Sequence, residues 1–266
     1  MRPLVYAHRG GAALAPENTL VAFDAGIAAG ADGIELDVRL ARDGVPVLMH
    51  DPTLERTTNA DGPVEARTAA ELAALDAGCR FARDGAFPFA GRGIGVPTLK
   101  AVFDRYRSTE LMIELKSADP RLARSVVEEI HAARARQRVT VGSFQKGALD
   151  AVRALDPAIR TGADMDDVRS GLDAGPGRGL PGRPVFEAFQ VPEVYAGLRI
   201  VTPEFVARAH DAGVAVMVWI VNLEDDMRRL LDWGVDGLIT DRPDLAVPLV
   251  HAWTGTRMSV RRGSSD

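Results

Sequence analysis

The chain has 266 residues, 46% of them hydrophobic and 26% charged, which is the composition of a globular protein whose core needs no stabilising disulfide. Its net charge of −5 argues against nucleic acid as the main partner, and the single cysteine, Cys79, excludes an internal disulfide. No apolar run approaches the roughly 18 residues of a membrane span, so we expect no transmembrane segment. Residues 1–4 lead into a strand pattern without the apolar core of a signal peptide, so we expect a cytoplasmic location.

Short apolar runs alternate with amphipathic stretches along the chain. The apolar runs predict strands at 3–8, 33–38, 45–50, 110–115, 138–142, 158–162, 185–190, 214–219 and 235–239. The amphipathic stretches predict helices at 19–29, 121–135, 146–155, 203–212 and 223–232. Strand then helix, repeated about eight times, favours an α/β fold of the TIM-type (β/α)₈ barrel class. An open doubly wound sheet is the alternative, but the first strand is not followed by the glycine-rich G-x-G-x-x-G loop of that fold.

The domain organisation that we predict is one barrel over residues 1–254. Residues 51–98 are too long for an ordinary connection, and we interpret them as a small insertion after the second strand region that caps one end of the barrel. Within it, Thr68 to Leu75 predicts a short helix. Residues 173–184 predict a flexible loop, and residues 255–266 a disordered tail.

Acidic residues lie between apolar residues in the predicted strands 33–38 and 110–115. Residues i and i+2 of a strand share a face, and the outer face of a barrel packs under helices and should be apolar. In the second strand the apolar positions take the outer face, which leaves Glu35 and Asp37 facing inward. The same alternation turns Glu114 and Lys116 inward at the end of a later strand. The sequence therefore predicts three carboxylates in one barrel mouth.

Three carboxylates at such a place would repel one another and lose hydration unless a cation lay between them. Oxygen ligands from Glu35, Asp37 and Glu114 select a hard ion, Mg²⁺ or Ca²⁺, rather than Zn²⁺. We therefore predict a divalent metal site whose remaining coordination positions are open to water and substrate.

Two histidines each end a predicted strand, at the end where barrel enzymes place their chemistry. His8 or His50 alone would be read as structural, but together beside the carboxylates they indicate a general acid/base pair. Arg9 follows His8 directly. We predict that Trp219 contributes to substrate binding, with a plain core residue as the alternative, and that Asn18 caps the first helix.

Motifs in this order resemble the glycerophosphodiester phosphodiesterase family over roughly residues 4–247. They are His8-Arg9-Gly10, Pro16-Glu17-Asn18-Thr19, Glu35-Leu36-Asp37-Val38, His50-Asp51-Pro52-Thr53, Ile113-Glu114-Leu115-Lys116, Trp219-Ile220-Val221-Asn222 and Gly237-Leu238-Ile239-Thr240-Asp241-Arg242-Pro243. The resemblance implies a TIM-type barrel with a small insertion after the second histidine.

The resemblance also implies roles for the matching residues. They are Glu35, Asp37 and Glu114 for a divalent metal, His8 and His50 for acid/base catalysis, and Arg9 and Lys116 for contacts with the phosphate. The implied reaction is metal-dependent hydrolysis of a small-molecule glycerophosphodiester to an alcohol and glycerol 3-phosphate. A related barrel phosphodiesterase or lyase that acts on lysophospholipids, and a non-catalytic phosphate-binding protein, stay open as alternatives.

Overall fold

The computed structural model describes residues 2–173 and 184–263. The strands are β1 (Leu4–His8), β2 (Gly33–Leu40), β3 (Pro46–Leu48), β4 (Glu110–Leu115), β5 (Val139–Gly142), β6 (Arg160–Thr161), β7 (Ala188–Pro192), β8 (Val194–Tyr195), β9 (Leu198–Arg199), β10 (Ala215–Trp219) and β11 (Gly237–Thr240). The helices are α1 (Leu20–Ala28), α2 (Ala69–Ala73), α3 (Leu99–Arg105), α4 (Pro120–Ala132), α5 (Lys146–Leu155), α6 (Met165–Asp173), α7 (Pro203–Asp211), α8 (Glu224–Trp233) and α9 (Pro243–Gly263), with 3₁₀ turns at Val64–Ala66 and Arg136–Arg138.

Eight parallel strands form a nearly closed barrel in the order β6-β5-β4-β2-β1-β11-β10-β7. A parallel bridge between Gly162 and Ala188 brings the two ends of this order together. The first and last strands of the barrel pair with each other, with Tyr6 opposite Ile239. The helices lie between the strands in the sequence, so the predicted TIM-type barrel is confirmed.

The packing follows the predicted alternation of faces. Ile34 and Leu36 of β2 are fully buried in a cluster with residues of the surrounding helices. On the inner face, a smaller apolar cluster that includes Tyr6, Met112 and Met217 fills the barrel below its mouth. The interior is therefore a packed core, and the space for chemistry lies at the carboxyl ends of the strands.

The run predicted at 45–50 is not one of the barrel strands. The strand β3 pairs antiparallel with β2, with Leu48 opposite Val38. A tight turn joins the two strands, and in it the Gly44 amide donates to the Ala41 carbonyl at 2.9 Å. A parallel pairing would need a crossover of a dozen residues or more, so this short connection can only form a hairpin. The hairpin brings the chain back beside β2, and the Met49 amide donates to the Asp37 carbonyl at 3.1 Å.

The insertion, residues 51–98, packs against this hairpin. An apolar cluster buries Val47 of β3 with Leu54, Leu72 and Val96 of the insertion. The predicted short helix is present as α2, and Thr68 and Glu71 form a capping box at its start. The insertion is therefore anchored by its own small core.

The C-terminal part differs from the sequence predictions in two ways. Helix α9 continues to Gly263 and so includes residues 255–263, for which the sequence predicts a disordered tail. The strands β8 and β9 form a hairpin that was not predicted, since each has only two residues. The flexible loop predicted at 173–184 lies almost entirely outside the described residues. None of the described helices is long and apolar enough to cross a membrane.

Candidate active site

The three predicted carboxylates meet at the mouth of the barrel. Asp37 of β2 lies opposite Glu114 of β4, and Glu35 is two residues earlier on the same face of β2. One oxygen from each carboxylate lies within 4.8 Å of the others. Asp37 is completely buried and Glu35 is 6% exposed, so this cluster is unlike an acidic patch on a solvated surface.

Two cationic side chains neutralise part of this charge. Lys116 Nζ lies 3.1 Å from Asp37 Oδ1 and 2.9 Å from Glu114 Oε1, and Arg9 Nε lies 3.1 Å from Asp37 Oδ2. Although burial opposes ionisation, Lys116 and then Arg9 hold the pKa of Asp37 below its usual value. Burial and then the charge of Asp37 raise the pKa of Glu35. The cluster thus has two cationic side chains for three carboxylates, and burial raises the pKa of Glu114 as well as that of Glu35.

The cluster has the donor set of a divalent metal site. Asp37 Oδ1 is buried, and no donor among the described residues makes a hydrogen bond to it, although Lys116 is its ion-pair partner. A buried carboxylate oxygen in that position has a lone pair available for a cation. Because all three ligands offer oxygen, the residues fit Mg²⁺ or Ca²⁺.

His8 is held by Asp241, the residue that directly follows the last barrel strand, β11. Its Nδ1 lies 2.7 Å from Asp241 Oδ1, which leaves Nε2 on the side of Glu35, 3.9 Å from Oε2. Burial disfavours the imidazolium, but the hydrogen bond with Asp241 and the charge of Glu35 outweigh it and raise the pKa of His8. Because the carboxylate accepts from Nδ1–H, the neutral ring presents its Nε2 lone pair to the mouth.

His50 is also held by a carboxylate, that of the next residue, Asp51. Its Nδ1 lies 2.6 Å from Asp51 Oδ1, and its carbonyl accepts from Arg39 Nη2 at 2.7 Å. Burial lowers the pKa of His50 even though the hydrogen bond with Asp51 opposes that change. Both histidines therefore have a carboxylate on Nδ1 and lie at the mouth of the barrel.

The loop after β1 places Arg9 with its backbone in the left-handed region, at φ 49°. A Cβ on the neighbouring Gly10 would lie 2.7 Å from the carbonyl carbon of Ala22, so glycine lets this loop pack directly on α1. The Arg9 amide donates to Glu35 Oε2 at 3.0 Å, and its Nη1 donates to Glu17 Oε1 at 2.7 Å. Arg9 is thus fixed by carboxylates on two sides.

The insertion contributes Arg56 to this arrangement. Its two terminal nitrogens donate to the Glu17 carboxylate at 2.7 and 2.8 Å, and its Nε donates to Asp51. A continuous network of ion pairs therefore runs from Arg9 through Glu17, Arg56 and Asp51 to His50. None of the three connecting residues was assigned a role from the sequence.

The prediction that Asn18 caps the first helix is wrong. Thr19 is the N-cap of α1, and its side chain accepts from the Ala22 amide at 3.2 Å. Asn18 instead has φ 55°, and its Nδ2 donates to Asp37 Oδ2 at 2.8 Å while its Oδ1 accepts from the Asp37 amide at 3.1 Å. Both residues can cap a helix, so the sequence alone favours neither.

Asp241, the partner of His8, is held by Asn222 through the same kind of reciprocal hydrogen bonds. Asn222 Nδ2 donates to Asp241 Oδ2 at 2.8 Å, and the Asp241 amide donates to Asn222 Oδ1 at 2.9 Å. In both pairs the asparagine precedes the aspartate by 19 residues. Asn222 and Asp241 occur in the motifs quoted above, but their pairing could not be read from them.

These residues open into a cavity of about 320 Å³. The predicted site residues that line it are His8, Arg9, Glu35, His50, Glu114, Lys116 and Trp219. Asp37 lies behind them, fully buried. Trp219 packs edge-to-face on Phe144, with 5.7 Å between the ring centroids. The structure thus brings all eight predicted site residues to one mouth.

Comparisons with known proteins find similarity over nearly the whole chain. A model of the glycerophosphoryl diester phosphodiesterase family matches residues 8–245. A glycerophosphodiester phosphodiesterase of Caldanaerobacter subterraneus is 36% identical over 256 residues, covering 94% of this chain and 99% of the relative.

Solved structures are similar over the same extent. A glycerophosphodiester phosphodiesterase from Agrobacterium tumefaciens has a TM-score of 0.75 at 31% identity, covering 92% of this chain and 98% of that one. An Oleispira antarctica phosphodiesterase, in complex with its product sn-glycerol-3-phosphate, has a TM-score of 0.77 at 25% identity, covering 94% and 97%.

Proposed function

This chain belongs to the glycerophosphoryl diester phosphodiesterase family, and we propose that it hydrolyses glycerophosphodiesters to an alcohol and glycerol 3-phosphate with a divalent cation and two catalytic histidines. It is a phosphoric diester hydrolase, as its curated relatives are. The observation that carries the proposal is the convergence of three carboxylates within 4.8 Å beside two histidines. A relative that holds sn-glycerol-3-phosphate as product supports the choice of substrate.

The cationic side chains at the mouth would bind the phosphodiester. Arg9 and Lys116 both line the cavity, and both are held in place by ion pairs with the carboxylate cluster. They would stabilise the negative charge that develops on the phosphoryl oxygens in the transition state. A cation bound by Glu35, Asp37 and Glu114 would supply Lewis-acid stabilisation of the same oxygens.

The two histidines would move the protons. Asp241 and Asp51 fix the Nδ1 atoms of His8 and His50, so each ring has Nε2 free for transfer to or from the substrate. One histidine would take the proton of the attacking hydroxyl, and the other would donate a proton to the leaving alcohol. Their roles would reverse when water completes the hydrolysis.

The nucleophile that we propose for the first step is the glycerol 2-hydroxyl. It is tethered next to the phosphorylated carbon, and such tethering can lower a barrier by about 7–11 kcal/mol at best. Its attack would expel the head-group alcohol and leave a cyclic glycerophosphate, which water would open to glycerol 3-phosphate. A diester that lacks the 2-hydroxyl should then bind without turnover, and cleavage at the parent rate would favour direct attack by water.

A substrate panel tests the function as a whole. Glycerophosphodiesters with different head groups would be incubated separately with Mg²⁺, Ca²⁺, Mn²⁺ or a chelator, with coupled detection of glycerol 3-phosphate. We expect product with at least one metal and none with the chelator. If no diester yields glycerol 3-phosphate with any metal while one of them still binds, the chain is a phosphate-binding protein instead.

A further inference from the structure

Strand β7 carries one polar side chain, that of Gln190, and turns it into the barrel. Phe189 and Val191, on either side of it, are buried in the apolar cluster between the strands and the helices. Side chains along a strand alternate between its faces, so Gln190 shares the inner face with Ala188. Ala188 belongs to the apolar cluster that fills the barrel below its mouth. Gln190 therefore lies directly above that cluster, at the floor of the cavity that it helps to line.

Two glycines leave the room that the Gln190 carboxamide occupies. A Cβ on Gly142 of β5 would lie 2.6 Å from Gln190 Oε1, and a Cβ on Gly162, which follows β6, would lie 2.9 Å from the same atom. Contacts this short exclude a larger residue at either position while the carboxamide stays in place. The side chain of Gln190 thus extends from β7 past β6 to β5, which is the neighbour of β4 in the barrel.

The amide nitrogen of Gln190 has no partner within the protein. Its Nε2 is buried and makes no hydrogen bond with any described residue. Such a group is rare in folded proteins, because a buried donor without an acceptor has lost its hydration without compensation. The polar residues that follow the two glycines differ in this respect. Ser143 Oγ donates to the Leu115 carbonyl at 2.7 Å, and Asp164 Oδ2 pairs with Lys146 Nζ at 3.1 Å. Of these three polar residues at the cavity, Gln190 is the one with an unused donor.

The position of the carboxamide determines which part of the substrate can reach it. Gly142 lies opposite Glu114 on the neighbouring strand, and such strands are about 5 Å apart, so the carboxamide lies beside the carboxylate cluster at the depth of the cavity floor. The glycerol unit carries the proposed nucleophile and has to be held at this depth. The head group, in contrast, leaves as an alcohol through the open mouth. Glycerol is therefore the part of the diester within reach of Gln190.

We propose that Gln190 hydrogen-bonds the terminal hydroxyl of the glycerol unit and thereby selects glycerol over diols that lack this group. This role deepens the proposed function and rests on it, because the glycerol is held beside the same reacting phosphate. A hydroxyl both donates and accepts, and the carboxamide can turn about its last bond to offer either its N–H or its carbonyl, so the two groups match. A substrate without this hydroxyl would leave the amide buried and unpaired, which disfavours its binding.

Two diesters that differ by one oxygen atom test this selectivity on the metal-loaded full chain. One is the methyl ester of glycerol 3-phosphate. The other is the methyl ester of propane-1,2-diol 1-phosphate in the matching configuration, which keeps the proposed nucleophile but has a methyl group in place of the terminal hydroxymethyl group. With phosphorus NMR to follow the phosphomonoester product, we expect kcat/KM to favour the glycerol ester by about 10- to 100-fold. Equal values for both esters overturn the inference, whereas no turnover of the glycerol ester with any metal refutes the proposed function instead.

Replacement of Gln190 by methionine separates recognition from stability. Methionine is a flexible side chain of similar length without an amide. Gln190→Met should lower kcat/KM for the glycerol ester by about 10-fold or more and leave that for the propanediol ester within about twofold. Its Tm should stay at or above that of the wild type, because Nε2 has no partner to lose. A lowered Tm together with an equal fall in kcat/KM for both esters would show that Gln190 is structural and would overturn the inference.

The matched control is Gln137→Met. Gln137 is exposed in the 3₁₀ turn before β5, at the opposite end of the barrel from the mouth. Its replacement should change kcat/KM for neither ester. A preference that fell equally in this control would contradict the assignment to Gln190.

A second variant displaces the carboxamide without removing it. Among the described residues, apart from its neighbours in the chain, Gln190 is the one that a Cβ in Gly142→Ala would meet within 4 Å. The contact is with the end of a flexible side chain, so the backbone can stay in place while the carboxamide moves. The preference for the glycerol ester should then fall by about 10-fold, with little change in Tm. If either variant folds and keeps the wild-type preference, Gln190 does not recognise the terminal hydroxyl.

Discussion

Replacing Asn18 by alanine should destabilise the protein more than the loss of a helix cap would. Asn18 is 3% exposed and Asp37 is fully buried, so water does not readily replace the lost amide. The change removes a hydrogen bond to a carboxylate, worth about 1.5–3 kcal/mol, and leaves the buried Asp37 amide without an acceptor, which costs about 1–3 kcal/mol. Alanine at φ 55° adds about 1 kcal/mol. We therefore expect a loss of about 4 kcal/mol or more.

Thermal unfolding followed by circular dichroism measures this loss. For a chain of this size, about 1 kcal/mol shifts Tm by roughly 2–4 °C, so Asn18→Ala should lower Tm by about 10 °C. Asn59→Ala is the control, because Asn59 also accepts a hydrogen bond from an aspartate amide, that of Asp76 at 2.8 Å, but in an exposed position. Its Tm should fall by no more than about 2 °C. A shift of Asn18→Ala as small as that of the control would refute the reasoning.

Three further predictions concern the site and the pH dependence of stability. Exhaustive chelation should abolish turnover and Glu35→Gln should raise the metal concentration needed for half-maximal activity, whereas full turnover of the chelated enzyme would exclude a metal role. His8→Ala and His50→Ala should each keep the wild-type Tm approximately but lose about 100-fold or more in kcat, and a variant with near wild-type kcat would show that its histidine is peripheral. Asp24→Asn should cost about 0.5–1 kcal/mol at pH 7, a value reduced because the ion pair with Arg105 is half-exposed to solvent. Although burial opposes the change, the hydrogen bond with Arg105 lowers the pKa of Asp24 in the native state. The difference in unfolding free energy between the wild type and Asp24→Asn should therefore be present above a pH of about 4 and vanish as the pH falls through the lowered pKa. A difference that persists in acid would contradict this origin.

The carboxylate cluster was predictable because it depends on local rules. Glu35 and Asp37 alternate with apolar residues along β2. Because the apolar residues occupy the buried outer face, both carboxylates must face the inside of the barrel. The antiparallel direction of β3 was also available from Asp43-Gly44, a dipeptide typical of hairpin turns between two apolar runs. Applying the turn signal would have removed the run at 45–50 from the barrel.

The supporting partners of the histidines could not be predicted in the same way. Asp241 reaches His8 only because the last barrel strand pairs with the first, and the two residues are 233 positions apart. Arg56 reaches Glu17 across 39 positions through the path of the insertion. Contacts of this kind depend on closure of the whole barrel, which no local period or turn signal encodes.

The position of His8 and Asp241 at the meeting of β1 and β11 also has a consequence for biosynthesis. A nascent chain that has not yet emerged through β11 already contains both histidines and all three carboxylates, but the His8 imidazole then has no carboxylate on Nδ1. Bringing together residues 233 positions apart costs about 5 kcal/mol of chain entropy, so this contact gains little until the intervening strands have paired. The enzyme would therefore become competent only when the final strand docks, and a circular permutant that fuses the two termini and opens the chain within 51–98 would bring His8 and Asp241 close in sequence and allow their contact to form early.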